Sequence, residues 1–355
     1  MAKRPHVLII GGGLIGLASA RACLDRGAKV TLLEHQAQTG YGAGFSNSGM
    51  IHPSQSWPWV TGYLSENAQF EAARHVASLA KSAAPLLKTR MHALGLDDIS
   101  RHTGCYKIFE TSDARSRAHK QYNQIDVKAE NKDLLSRPAL FFPNDFSGNA
   151  YHWSAAETQA LSQDGAIIKT NVDSTLCDVN GQPRVFIDGS PQDADHIIIC
   201  TGHKTNKLLA PLGLNLPIKA VRGFALNFAM TDKSTALPQV PIMDSKTHSA
   251  LTQFKDQLRL SGTLGEQSAQ RLWQRWCEII PDIMSRHKTP QFVWSGQRPV
   301  SELGRPIISQ SPLKGLWVNS GHGHMGWTLS MASGELIADM VLSGTKDERF
   351  IWPNS

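Results

Sequence analysis

The sequence predicts an α/β architecture combined with an α+β one: a unit of parallel strands and helices, interrupted by a second unit on a mixed, largely antiparallel sheet. Three observations carry this. Residues 7–35, "VLIIGGGLIGLASARACLDRGAKVTLLEH", run from an apolar stretch through glycines into a helical pattern and a second apolar stretch, the form of a βαβ unit. Fully apolar runs of the kind that parallel strands need recur far away, at 195–200 ("DHIIIC") and 316–318. Between them, 221–263 alternates apolar and polar residues ("RGFALNFAM", "ALTQF", "LRLSGTL"), as an antiparallel sheet does when one face meets solvent or a ligand.

The elements follow in order. Residues 7–10 form a buried strand, 14–26 a helix closed by Gly27, and 30–33 the next strand. The stretch 37–65, rich in Gly, Ser, Asn, Pro and Trp, is irregular. A long alanine-rich helical pattern covers 66–94, with an interruption expected at Pro85. Residues 104–112 alternate as a strand, and the polar 113–124 is helical. Turn signals fall in "FFPNDFSGN" (141–149) and at Asn180-Gly181, a hairpin signature. "SAQRLWQRWCEII" is an amphipathic helix, and the chain returns to strand ("GLWVNSG") and helix ("SMASGELIADMVLSG") before Gly344. The division this suggests is a discontinuous nucleotide-binding domain (1–80, 145–215, 296–355) around a substrate domain (81–144, 216–295).

Composition narrows the function. Of 355 residues, 41% are hydrophobic and 19% charged, ordinary for a soluble globular chain. No apolar run approaches the roughly 20 residues of a membrane span, and the first strand starts too early for a signal peptide, so a cytoplasmic protein is expected. Cys23, Cys105, Cys177, Cys200 and Cys277 are scattered, without a C-x-x-C pair. That argues against a disulfide framework or a zinc site, so free thiols and no metal are expected. The net charge of +6 is spread over short clusters such as 114–120 rather than a stripe, which argues against nucleic acid.

Gly11-x-Gly13-x-x-Gly16 sits between strand and helix, where the motif binds a dinucleotide. Gly11 permits the turn, Gly13 lets backbone approach a pyrophosphate, and Gly16 lets helix and strand pack closely. The first-turn amides, Leu14 and Ile15 among them, then point at that pyrophosphate. Glu34, at the end of the second strand, is placed for ribose hydroxyls, with His35 beside it. The motif does not separate FAD from NAD. Two further segments favour FAD: "GYGAGFSNSGMI" after the acid, and "NSGHGHMGWTLSMASG" near the end of the chain. In the latter, Gly321, Gly323 and Gly326 leave backbone free to lie against a flat ring.

In order, "IIGGGLIGLASA", "SNSGMIHP", "ALFFPNDFSGNA", "IIICTG", "LRLSGTLGE", "WSGQRPVSELGRPII" and "NSGHGHMGWTLSMASGELIAD" resemble the motifs of FAD-dependent amino-acid oxidoreductases of the D-amino-acid oxidase superfamily. The nearest group is that of the bacterial D-amino-acid dehydrogenase small subunit. The resemblance covers nearly the whole chain and implies a Rossmann-like FAD-binding domain interleaved with a substrate domain whose sheet roofs the flavin. It places along the cofactor Ser46, Asn47, Ser48, Gly49 and Met50, then Val172 at the adenine end, Thr201 and Gly202, and a wrap made by Gly323, His324, Met325, Gly326, Trp327 and Thr328. Covalent attachment of FAD is not expected, because no cysteine lies in the two C-terminal flavin-facing motifs.

Arg298, in "SGQRP", stands where the family has an arginine that grips the substrate carboxylate and borders the cofactor. A guanidinium offers two parallel donors and stays charged when partly buried; the structural alternative is an ion pair with Glu302. Arg222 is weighed as structural, although it could line the same cavity. His248 stands where a tyrosine often neighbours the substrate, and His52, His322 and His324 fall near the flavin. A histidine there, His52, His248 or His324 among them, could take a proton from an ammonium substrate.

The activity implied is oxidative deamination of a small amino acid, a D-amino acid or a cyclic imino acid, by hydride transfer to flavin. Alternatives are a glycine, sarcosine or 2-hydroxy-acid oxidoreductase, or a flavoprotein subunit of a heteromeric dehydrogenase. The electron acceptor stays open between oxygen, quinone and a partner protein, as does peripheral contact with the inner face of a membrane.

Overall fold

The computed structural model describes residues 4–59, 62, 64–97, 103–230, 237–262 and 269–353. Val60 of the loop at 54–60, and the 263–266 end of "LRLSGTLGE", lie outside them. Two sheets organise the chain. The first has six strands in the order Ile307–Gln310, Leu316–Ser320, His196–Ile199, His6–Ile10, Lys29–Leu33, Ile167–Lys169. All neighbours are parallel except the outermost pair, Ile307–Gln310 with Leu316–Ser320. Val7 and Ile9 feed one core and Leu8 and Ile10 another, on opposite faces of the strand. Burial on both faces is why these strands read as unbroken apolar runs.

Helices Leu14–Asp25, Glu66–Ala93 and Gly326–Ser343 cover one face. The first and last approach so closely that a Cβ at Gly334 would lie 2.6 Å from the Ala18 carbonyl oxygen. Buried Glu157 joins the layer by accepting from Arg21 Nε at 2.9 Å and Arg90 Nε at 2.6 Å. The long helix runs through Pro85 without a break, contrary to the interruption expected there. Pro85 and Lys81 both face solvent, so water satisfies the carbonyl that the proline cannot.

The second sheet has nine strands: Phe292–Ser301, Ile218–Ala229, Gln257–Gly262, Ser249–Gln253, Ile242–Asp244, Thr103–Ile108, Arg137–Ser147 and Met50–Ile51 in order, with Glu130–Leu134 paired to Arg137–Ser147. One neighbour pair is parallel, Ile242–Asp244 with Thr103–Ile108. "FFPNDFSGN" does not turn the chain; it lies mostly within the strand Arg137–Ser147. Its Pro, Asn and Asp mark an irregularity, because the register slips between Thr103 and Cys105. Helix Ala269–Ile279 packs on this sheet, its Arg275 donating to Asp244 at 2.8 and 3.0 Å. Strands Arg137–Ser147 and Phe292–Ser301 both run across residues at which the domain division was expected.

A small antiparallel sheet (Ser174–Val179, Gln182–Ile187, Ser190–Gln192) turns at Asn180 and Gly181, with φ of 56° and 78°, the left-handed pair of a tight hairpin. Among the described residues, no helix is long and apolar enough to cross a membrane, and no group of three His, Cys, Asp or Glu could hold a metal.

Candidate active site

The two large sheets enclose a cavity of about 620 Å³, within the size range of small-molecule sites. One end is the glycine-rich turn. Gly11 has φ of +107°, and a Cβ at Gly16 would fall 1.8 Å from the Gly11 carbonyl oxygen. Only glycine lets the helix start this close to the strand. No side chain caps the helix at Gly13, and a Cβ there would meet nothing within 4 Å. The uncapped helix start therefore faces open space with its amides free. The Glu34 carboxylate accepts from Gly12 N at 2.6 Å and Gln36 N at 2.7 Å, and its carbonyl accepts from Val172 N at 3.0 Å. Acid, glycine turn and Val172 thus form one wall.

The loop 46–50 is fixed to the large sheet. Arg259 donates to Asn227 Oδ1 at 2.6 Å and to the Asn47 carbonyl at 2.9 Å, Asn227 Nδ2 donates to Ser46 Oγ at 3.2 Å, and Thr252 Oγ1 donates to the Ser48 carbonyl at 2.7 Å. Of the residues expected at the cofactor, Gly11, Gly13, Leu14, Ile15, Glu34, His35, Asn47, Ser48, Met50, Val172, Thr201, Gly202, Arg298, Gly323, His324, Gly326 and Trp327 line the cavity. Gly16, Ser46, Gly49, Met325 and Thr328 are not part of its lining. They act from behind it: Gly16 by packing, Ser46 by tying the loop, and Thr328 by accepting from His52 N at 3.0 Å.

The far end gathers the candidate catalytic side chains around Trp59. His324 stacks on the Trp59 ring with centroids 3.9 Å apart, His248 lies 5.6 Å from it, and Arg298 Cζ is 6.0 Å from its centroid. His52 stacks on His324 at 6.0 Å. His324 Nε2 donates to the Gln55 carbonyl at 2.7 Å. Because that oxygen only accepts, Nε2 carries the proton and Nδ1 keeps its lone pair. Burial, aided by Lys107 and Arg298, pushes His52 down to about 3. Burial likewise holds His324 well below the usual range and lowers His248. All three rings are neutral at pH 7. His248 also has φ of 48°, backbone strain of the kind found at functional sites.

Arg298 is half-buried, and desolvation of its guanidinium lowers it to about 10, still cationic at neutral pH. Its guanidinium lies on the backbone of Gly223: a Cβ there would sit 2.1 Å from Nη1. Gly223 pairs with Gly296 across the two strands; Gly223 leaves room for the guanidinium, and the space at Gly296 is filled by the Trp294 ring. Glu302, the acid weighed as its structural partner, pairs with Lys219. Arg222 is exposed and not part of the cavity lining. Behind Gln55, a buried chain runs from Lys107 Nζ and Tyr122 Oη, donating to Gln55 Oε1 at 3.0 Å each, through Gln55 Nε2 donating to Ser54 Oγ at 2.7 Å, to Asp145.

The lining fits a large polar cofactor. Asn319 Oδ1 and Trp327 Nε1 are buried without a partner in the cavity wall. Such groups are destabilising unless a ligand completes them. Trp59 belongs to "SQSWPWV" (54–60), a loop the sequence leaves open between capping the pocket and loop packing, and it stands in the cavity wall; Gly223 went unrecognised as a site residue. An isolated glycine inside each of two strand patterns, "VRGFA" and "WSGQRP", was the available signal.

A parallel-sheet nucleotide fold whose cavity is roofed by a largely antiparallel sheet is the frame of a protein that holds a nucleotide cofactor. The chain belongs to the FAD dependent oxidoreductase (DAO) family, whose model matches residues 6–340. It is similar to the D-amino acid dehydrogenases of Vibrio vulnificus (strain YJ016), 26% identical with 96% of each chain covered, and of Xanthobacter autotrophicus, 26% identical with 95% of each covered. Its fold is similar to that of glycine oxidase from Geobacillus kaustophilus (TM-score 0.82, 22% identity, 97% of this chain and 96% of that one). The same holds for iminodiacetate oxidase from Chelativorans sp. BNC1 (TM-score 0.81, 20% identity, 97% and 98%).

Proposed function

We propose that this flavoprotein oxidises the carbon–nitrogen bond of a small amino acid, a D-amino acid or cyclic imino acid, to the imine, which water hydrolyses to a 2-oxo acid. The observation that carries this is Arg298 at the end of the cofactor cavity, laid on the Gly223 backbone and gathered with His248 and His324 around Trp59. The names of the curated relatives agree with it. Bound flavin supplies the acceptance of a hydride from the carbon that bears the amine.

The chain's residues have narrower tasks. Arg298 binds the carboxylate through paired donors and so fixes the α-carbon. Trp59, stacked on His324, walls this end of the cavity. An ammonium group entering beside Arg298 meets no carboxylate among the described lining residues of this end, so its neutral form is favoured there. The proton released by the ammonium goes to solvent as the substrate binds, and His324 Nδ1, kept neutral with its lone pair, is left to accept a hydrogen bond from the amine.

FAD is held without a covalent bond on this reading. Cys200 is the cysteine that lines the cavity, and burial pushes its thiol up to about 12, so it is not a ready nucleophile. The test is anaerobic bleaching of the purified holoenzyme by D- and L-amino acids, glycine, sarcosine and 2-hydroxy acids in turn. Reduction by amino acids supports the proposal, and reduction by hydroxy acids alone overturns it. Readmitting oxygen then separates oxidase from dehydrogenase.

A further inference from the structure

We propose that a side cavity behind Trp59 is a second anion subsite, so that the preferred substrate is a dicarboxylic amino acid of aspartate or glutamate size. This rests on the amino-acid reading above. The side cavity, about 160 Å³, shares Trp59, His248, Arg298, His322, Gly323 and His324 with the main one. A substrate whose α-carboxylate sits on Arg298 therefore has one branch point from which a side chain enters it.

The wall has the composition such a side chain needs. Val76, Val221, Val300 and Leu329 offer apolar surface for methylenes. The charged groups among its described lining residues are Arg298 and Arg305, with no Asp or Glu. Two polar groups in it lack partners: Arg305 Nη1, and His322, 5% exposed with both ring nitrogens unsatisfied. The acid whose charge reaches Arg305 is Asp347, and its carboxylate is already engaged by Arg349 Nε at 2.9 and 3.1 Å.

Both arginines are rooted in fixed backbone. Arg298 lies on strand Phe292–Ser301, and Arg305 follows the turn that leads to strand Ile307–Gln310. That turn is pinned at Gly304 (φ +69°), where a Cβ would meet Leu64, Pro58 and Ala72 within 3.2 Å. A second carboxylate would complete Arg305 with charge-assisted hydrogen bonds. Each such bond contributes roughly 1.5–3 kcal/mol, or about 10- to 100-fold in affinity.

The experiment uses holoenzyme. Flavin absorbance is titrated with succinate and glutarate against propionate and butyrate, and anaerobic reduction is followed with D-aspartate against D-asparagine and with D-glutamate against D-glutamine. The expected result is at least about ten-fold tighter binding of the diacids and a similar preference for the acidic amino acids. Arg305→Gln should collapse both preferences, and Arg305→Lys should restore part of them. Equal handling of acid and amide, or a preference that survives Arg305→Gln, overturns the subsite. If diacids perturb the flavin spectrum but no amino acid bleaches it, the functional reading fails while the subsite stands. If neutral amino acids react and diacids neither bind nor react, the subsite fails and the functional reading stands.

Discussion

Gly223→Ala tests the carboxylate clamp without touching the clamp itself. The added methyl would lie 2.1 Å from Arg298 Nη1 and 2.8 Å from Cζ, where ordinary contact begins at 3.4 Å. The strand backbone is held on both sides, by Phe292–Ser301 and Gln257–Gly262. The guanidinium is the end of a flexible chain, so the guanidinium must move, by more than 1 Å. Fold stability should then hardly change: replacing glycine by alanine restricts the unfolded chain and offsets part of the repacking, by about 0.4–1 kcal/mol. Function should change far more, because a displacement of about 1 Å at a positioning group lowers turnover on the order of 100-fold. The assay is titration of the holoenzyme with propionate, read in flavin absorbance, beside anaerobic reduction by the best substrate. The expected outcome is normal flavin content, a midpoint of unfolding close to wild type, and carboxylate affinity weakened about 10- to 100-fold. A fully flavinated variant with unchanged affinity would refute the placement of the carboxylate on Arg298.

Other perturbations read other parts of the molecule. Gly16→Ala sets a methyl 1.8 Å from the Gly11 carbonyl oxygen, a backbone atom that cannot swing away; the purified protein should lack yellow colour and melt several degrees lower. Burial pushes the Asp145 carboxyl up to about 7 from 3.8. Its contribution is full below about pH 4 and declines as pH rises through 7, by as much as about 4 kcal/mol. Wild type should thus lose more stability between pH 5 and 8 than Asp145→Asn, measured as urea midpoints. His52 and His322 are pushed down to about 3 from 6.5, so their contribution is present above pH 6.5 and is lost toward pH 3; His322→Asn should soften acid unfolding. Acid precipitation should release all flavin into the supernatant, and colour left in the pellet would contradict non-covalent binding.

What was legible in the sequence follows the range of the physics behind each signal. The glycine turn, its helix and Glu34 lie within one βαβ unit, so local steric rules locate them without knowledge of the rest. The hairpin at Asn180-Gly181 is local in the same way. Pro85 and "FFPNDFSGN" misled because tertiary context overrides local preference: exposure excuses the proline, and a register slip absorbs the turn residues. The sequence left Trp59 undecided between capping the pocket and loop packing, because its role comes from contacts with 248, 298 and 324, residues far from it along the chain. Gly223 was invisible for a related reason. A strand glycine signals close approach, and only pairing with Phe292–Ser301 reveals what approaches.

The electrostatics of the far end explain why a site with four histidines needs no acid–base pair of matched strength. His52, His248, His322 and His324 are all driven toward neutrality by burial. A protonated histidine beside Arg298 would be repelled, which is one of the causes that depress His52 and His324. Arg298 thus stays the cation in the cavity wall of this end, with Lys107 behind Gln55 adding to the same field, and both attract a carboxylate. The same field works against a substrate ammonium, whose proton is most easily lost as the carboxylate docks. A neutral amine then stands on the carbon to be oxidised, the electronic state that hydride departure requires. Carboxylate binding and amine deprotonation are in this way one electrostatic event. Arg298→Met should accordingly do more than weaken binding: it should raise the pH at which reduction reaches half its maximum. An Arg298→Met enzyme with weaker binding but an unshifted pH profile would show that the two are separate.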